Sequence, residues 1–504
     1  MAGLVNCGRK KRFDASFEQP LTGMLKPLLL CLAVFACCEE SVASAATLGK
    51  VEFENSCQTE VRLQINEAVA LLHSFEFKEA ETIFEQVEHR DPTCAIAAWG
   101  MALARTEWDG ANAPQKTLQE VWEQLRPWLS IKAGTQREQM YLDAVRGMYE
   151  GYSGTPGGVR WSRYLARMAA LRRRYPQDSD ASMFYALGLV WTAGDGRRGM
   201  AQRRRALRIL LPLFSRLPDH PGAAHYIIHA ADTPELAAIA LPAARKYASI
   251  APDSPHATHM PSHIFSRLGY WAEMIRSNEE SARVAAEWVK DGRNGRFDEQ
   301  HALTYLEYGY LQLNQRDKAR EQISRIREVM NAPGGDPWAE IDARVSYDVE
   351  TSDWDEALKL EPPPSSPFQE NFDVFWVHAL AAARLGRVDA ARSALRSLSG
   401  SIAQQRIGIN YAHILHIYLL QAQAAVQVAE GEPKAAVRKL RSAIDYERAH
   451  PVDYPNILAP PSAEVLGELL LDIHDAASAH RAFQQALFMA PNRLRSLDGL
   501  REAQ

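Results

Sequence analysis

Six of the fifteen histidines in this 504-residue sequence fall within 44 residues: His220, His225, His229, His256, His259 and His263. Their spacing matters more than their number. His225 and His229 are four apart, and His256, His259 and His263 follow an i, i+3, i+7 pattern, so each set shares one face of a helix. Neutral imidazole is the commonest metal-ligating side chain, and two histidines one turn apart can grip one ion. Three or more histidines with few thiolates suit zinc, copper or iron. Two other readings stand beside this one. The imidazoles can offer hydrogen bonds to an organic or peptide ligand in a polar groove, or they can simply cap helices and bond backbone groups.

The elements that must position these rings are helices. Strand signals are scarce, and apolar residues recur at helical spacing in VRLQINEAVALLHS (61–74) and HALTYLEYGYLQL (301–313). A repeat emerges when alanines are aligned. Ala80 is followed by Phe84, Val87 and Pro92; Ala206 by Leu210, Leu213 and Pro218; Ala479 by Phe483, Ala486 and Pro491. Ala240 with Ala244, Tyr247 and Pro252 fits, as do Ala390 and Ala436 without the proline. This is the pattern of the second helix in a tetratricopeptide (TPR) unit, ended by its proline. Ala206 to Ala240 is 34 residues, the TPR period, and a further 34 reaches Met274. Later steps through Ala319, Ala390, Ala436 and Ala479 are irregular, with insertions at 153–158, 332–337 and 361–367 rich in Pro and Gly. The expected fold is therefore all-α: a TPR-like α-solenoid of antiparallel helix pairs with degenerate repeats.

Longer strings carry a closer likeness. The stretches LLHSFEFKEAETIFEQVEHRDPTCAIAAWGMALA (71–104), HPGAAHYIIHAADTPELA (220–237) and APDSPHATHMPSHIFSRLGYW (251–271) resemble a family of bacterial exported TPR-containing proteins, over most of residues 55–500. That resemblance implies fold and names no activity. It also implies which first-helix positions face the concave groove. His225 and His229 lie 15 and 11 residues before Ala240; His259 and His263 lie 15 and 11 before Met274. His256 lies 18 before Met274 and His301 lies 18 before Ala319. With first helices packed about 8–10 Å apart, five or six imidazoles are expected on one patch. The candidate metal ligands are thus His225, His229, His256, His259, His263 and His301, with zinc or copper as the ion. His220 belongs to the turn before its helix.

A metal enzyme would also need an open coordination position and a general base. Asp232, Asp298, Glu299 and Glu307, with Tyr308, are the nearest candidates, and no sequence feature selects among them. There is no HExxH, G-x-S-x-G, P-loop or dinucleotide fingerprint, so no nucleotide cofactor is expected. His73, beside Phe75 and Phe77, reads as structural. His378, His413 and His416 lie in apolar helical runs and read as packing, as do Trp99, Trp191, Trp271 and Trp376.

Net charge is −5 and the pI about 6.3. The chain lacks the basic footprint of a nucleic-acid binder. The apolar run Leu28–Ala36 is too short to span a bilayer, which needs about 20 residues, and precedes the small residues Ser44-Ala45-Ala46. This is the pattern of a signal peptide, compact if Met24 is the true start. A lipidated Cys37 or Cys38 and an uncleaved anchor are the rival readings. Cleavage near Ala45 leaves Cys57 and Cys94, which in an oxidising compartment form a disulfide or else stay as two buried thiols. The expected organisation is residues 1–45 as N-terminal extension and signal peptide, 46–360 as a solenoid with the His-rich groove, 361–370 as a Pro-rich linker, and 371–504 as C-terminal repeats. The expected protein is exported, periplasmic or secreted, with no stable membrane span after cleavage. Its groove is expected to hold a protein, peptide or small-molecule ligand, with a bound metal ion as an option. The alternative is a metal-dependent enzyme.

Overall fold

The computed structural model of the chain describes residues 47–107, 113–131, 133–194, 196–364, 366–404, 409–451 and 457–504. The expected signal peptide and its cleavage site lie outside the described residues. Those residues fold as helices with no strand among them, packed in sequence-adjacent antiparallel pairs. This is the all-α, TPR-like solenoid the repeat pattern predicts. None of these helices is long and apolar enough to cross a membrane.

The two helices of a pair differ in a way that follows from their place. First helices are apolar nearly all round: every residue of Ala95–Ala104 is buried, as are ten of the eleven in Pro221–Ala231. Second helices bury one stripe and expose the rest. Phe77–Arg90 buries only Ala80, Phe84 and Val87, and Ala476–Met489 buries Ala479, Ala482, Phe483 and Ala486. The repeat anchors Ala80, Ala206, Ala240, Met274, Ala319, Ala436 and Ala479 are all inaccessible to solvent. One anchor is displaced. Ala390 is exposed and Ala391 takes its place, with Leu395 and Leu398 at the same offsets of four and seven. In an Ala-Ala pair, spacing does not say which methyl points inward.

The turn inside a pair reverses the chain through one residue in the left-handed region. Gly269, Asn314, Gly386, Gly431 and His474 hold this place, with φ between 57° and 80°. In the first repeat the place is taken by Phe75, at φ 60°. A left-handed conformation costs a residue with a Cβ roughly 1–2 kcal/mol, so an aromatic at this position calls for a reason.

Two features turn the solenoid into a closed body. The extended segment 47–58 runs along the loops that precede successive first helices. Thr47 N donates to Asp253 Oδ2 (2.6 Å), Lys50 N to Asp219 O (2.9 Å), Ser56 N to Glu138 Oε1 (2.7 Å) and Gln58 N to Asp91 Oδ2 (2.8 Å). Cys57 is bonded to Cys94 in a disulfide, with Cα atoms 4.8 Å apart and a sequence separation of 37. Closing a loop of that length contributes about 3–4 kcal/mol on the chain-entropy model. At the other end, the last repeat returns to the middle of the chain. Trp271 Nε1 donates to Asn492 O (2.8 Å), and Arg493 donates to Tyr308 Oη (2.6 Å) and Glu464 Oε2 (2.7 Å).

Candidate metal centre

Four helices carry the six groove imidazoles. His225 and His229 lie on Pro221–Ala231, whose first turn is set by Pro221 and by the His220 ring, which accepts from Gly222 N at 3.2 Å. Gly222 itself is required, because a Cβ there would come within 2.3 Å of the His73 ring. His256 and His259 lie on Pro255–His259, capped by Ser254, and His263 on Pro261–Arg267. His301 lies on Arg296–Gln312. His256 is held from below. Its backbone N–H donates to Glu76 Oε1 (3.2 Å), which also accepts from Ser254 Oγ (2.5 Å).

The rings gather as two triads rather than one patch. His225, His229 and His256 form the first, and His259, His263 and His301 the second; in each, the candidate ligand atoms all lie within 4.8 Å of one another. His225 Nε2 is 3.0 Å from His229 Nε2 and 3.1 Å from His256 Nε2. His259 Nε2 is 3.0 Å from His263 Nε2. An ion with bonds of about 2.0–2.1 Å in tetrahedral geometry puts its nitrogens roughly 3.3 Å apart. The split arises because His256 reaches back to the preceding repeat while His259 and His263 face the following one.

Outer hydrogen bonds fix the orientation of several of these rings. His263 Nδ1 lies 2.7 Å from Asp232 Oδ2, which can only accept, so Nδ1 carries the proton. His259 Nδ1 lies 2.7 Å from Asn278 Oδ1, and the Asn278 amide is oriented by Nδ2 donating to Met274 O at 2.9 Å. Nδ1 of His259 is therefore also protonated. Both Nε2 atoms then face each other at 3.0 Å, a contact that either a shared proton or a metal ion can bridge. A proton can join two such atoms; an ion can gather three. In the first triad, His225 Nδ1 donates to His73 O (2.6 Å), which turns its Nε2 lone pair toward His229 and His256. Ligating histidines are commonly oriented by this kind of outer bond from the second ring nitrogen.

Electrostatics favour neutral rings. Burial first, and neighbouring imidazoles second, hold His225, His229, His256 and His259 well below the usual histidine range. His301 is lowered to about 4 by burial and by His263. Burial alone would raise Asp232, but the Arg267 guanidinium, 2.8 Å away, and His263 hold it low. Asp232 thus orients His263 and is neutralised by Arg267, and so is not a free base. Asp298, raised to about 7 by burial and by the charge of Glu79, neighbours Glu76. Glu299 is raised by burial, Glu307 is buried beside Ser346, and Tyr308 accepts from Arg493.

Two aromatic rings missed by the sequence reading cover the triads. Phe75 lies against His225, His229 and His256, with ring centroids 4.4, 5.2 and 5.4 Å away. Tyr305 lies against His259, His263 and His301 at 4.8, 5.4 and 5.1 Å. The signal for Phe75 was its place in the turn, where other repeats carry Gly, Asn or His.

Two further groups bring ligand-type atoms together. His73 Nε2 lies 3.0 Å and His220 Nε2 3.3 Å from Asp180 Oδ1, while His73 Nδ1 meets Tyr226 Oη at 2.9 Å and His220 Nδ1 accepts from Gly222. Both Nε2 atoms thus lie beside one carboxylate, and His73 makes the hydrogen bond to it. Cys57 and Cys94, beside Asp91, are joined as a disulfide. Of the remaining rings, His413 meets Tyr446 Oη at 2.6 Å and packs against His450. Trp99, Trp271 and Trp376 are buried in the helix packing and Trp191 is half-buried.

No family model matches the chain, and no curated protein matches it. Among solved structures it is similar to the APC/C hetero-tetramer Cut9–Hcn1, at 11% identity over 89% of this chain and 77% of that chain, with a TM-score of 0.36. It is also similar to yeast Tom70, at 10% identity over 88% of each chain and a TM-score of 0.32. A human IFIT1 dimer with m7Gppp-AAAA matches at 13% identity over 90% of each chain, with a TM-score of 0.36. At such low identity and overlap, these likenesses carry no argument about the groove.

Proposed function

We propose that this protein is an exported helical-repeat protein that binds metal ions through two tri-histidine sites, His225–His229–His256 and His259–His263–His301. The observation that carries this reading is the 3.0 Å approach of the Nε2 atoms of His259 and His263, whose Nδ1 atoms are each engaged by an outer hydrogen bond. Zinc and copper are the candidate ions, since all-imidazole sets suit both. Three protein ligands leave a coordination position for a ligand or substrate, and the half-buried His229, His256 and His301 mark the open side. A metal-dependent enzyme is the second reading, favoured by that open position. Export accords with the apolar run before Ala46 and with the Cys57–Cys94 disulfide, a bond suited to an oxidising compartment.

The test is elemental analysis of the full chain purified without a histidine tag. Stoichiometric zinc or copper is expected, with a rise in melting temperature when the demetallated protein is given either ion. His259→Ala with His263→Ala should remove one site and leave helical circular dichroism intact. Protein that arrives without metal and gains no stability from Zn²⁺ or Cu²⁺ sinks the reading.

A further inference from the structure

Resting on that reading, we propose that the two triads act as one centre holding a pair of copper(I) ions, and that this pair binds dioxygen reversibly.

The sites are too close to be independent. His256 of the first triad and His259 of the second are three residues apart on one short helix, with ring centroids 6.4 Å apart. Ions held by these triads would therefore be neighbours, and a bridging ligand requires them close enough for one small molecule to touch both.

The donor set selects the ion by charge. All six candidate donors are imidazoles, with no carboxylate or thiolate in either triad. The nearest fixed anion, Asp232, is already paired with Arg267. Two divalent ions would place four positive charges in a buried site without compensation. Two copper(I) ions place half that charge there, and the cost of burying charge is steep. Copper(I) also accepts three nitrogen donors without requiring more. Iron would draw on anionic or additional ligands that these triads do not supply, and divalent zinc would need a water or anion at its open position.

The surroundings select the ligand. Phe75 and Tyr305 present aromatic faces to the two triads. His229, His256 and His301 are half-buried, whereas His225, His259 and His263 are buried. A small uncharged molecule enters such a site at less cost than a hydrated anion. Dioxygen meets the redox balance without a co-reactant. Each copper(I) gives one electron and becomes copper(II), and dioxygen takes both to become a bridging peroxide dianion. Two copper–oxygen bonding interactions form, the O–O bond is kept, and no proton moves. The net charge of the centre is unchanged. Loss of dioxygen returns one electron to each copper.

The experiment uses the full chain without a histidine tag, demetallated, then loaded under argon with copper(I) supplied as its acetonitrile complex and freed of excess. Oxygen uptake is read with an optical sensor. The expected result is one dioxygen per two retained coppers, reversed by purging with argon. His229→Asn and His301→Asn, one from each triad, should each lower uptake at least about tenfold, the scale on which lost metal-site contacts act, with helical content kept. Two coppers retained without oxygen uptake would overturn the inference and leave the metal reading standing, as would uptake that both variants preserve. Retention of zinc in preference to copper(I) has the same effect. Protein that retains no metal at all sinks both.

Discussion

His259 and His263 face each other through Nε2 at 3.0 Å, and Asn278 is what keeps the first of these rings in the ligand tautomer. Asn278 is fully buried, and among the described residues its side chain bonds His259 and Met274 O. Asn278→Leu keeps the volume and removes the acceptor. The ring can then carry its proton on Nε2, and metal affinity should fall about 10–100-fold, as expected when an outer-shell partner is lost. Competition titration against a chromophoric chelator reads this directly. An unchanged affinity would mean that the tautomer is set by something else.

Acid should loosen the protein as its buried histidines are forced to take up protons. His301 is lowered from 6.5 to about 4 by burial and His263, and four other groove rings are lowered by burial and their neighbours. Between these values the unfolded chain binds more protons than the folded one, so stability increases with pH. The neutral-ring stabilisation is therefore complete above about pH 6.5 and is lost as pH falls toward 4. Bound metal competes with the same protons, so the loaded form should lose melting temperature more steeply over that window. Thermal scans of apo and loaded protein from pH 7.5 to 4.5 check both slopes. A flat apo profile would contradict the buried neutral imidazoles.

Phe75 sits in a left-handed turn where Gly269, Gly386 and Gly431 sit in other repeats, and its ring covers the first triad. Phe75→Gly should ease the backbone while uncovering His225, His229 and His256. Folding should survive, because the relief of about 1–2 kcal/mol offsets part of the lost packing. Metal should transfer to a chelator about tenfold faster from the first triad, on the scale of other near-site losses. If transfer rates stay equal, the ring is packing alone.

The repeat and the identity of the six imidazoles were legible because both depend on local spacing. Offsets of 15 and 11 residues before an anchor placed His225 with His229 and His259 with His263 in equivalent positions. The division into two triads was not legible, since it depends on His256 turning back toward His225 across 31 residues. Asp232 was visible as a candidate base, but its role in orienting His263 depends on a contact between different repeats. The segment 47–58 has no helical period, and its partners lie up to 206 residues away, so nothing local announces it. Ala390 and Ala391 satisfy the same spacing rule, and only packing chooses between them.

Arg493 shows how the closed form is held and how it can be opened. It is 1% exposed and donates to Glu464 Oε2, Tyr308 Oη and Glu350. Tyr308 lies on the helix that also carries His301 and Tyr305, so this arginine ties the last repeat to the second triad's scaffold. Arg493→Met would leave Glu464 and Glu350 in a buried site with Arg495, 3.8 Å from Glu464, as their remaining cation. Breaking one partner of such a group costs about 3–5 kcal/mol. Urea unfolding should show that loss, and adding Glu350→Gln with Glu464→Gln should recover most of it, because the cost lies in the stranded charges more than in the missing contacts. A single variant as stable as the parent would mean that closure rests on the Trp271–Asn492 contact and the apolar packing instead.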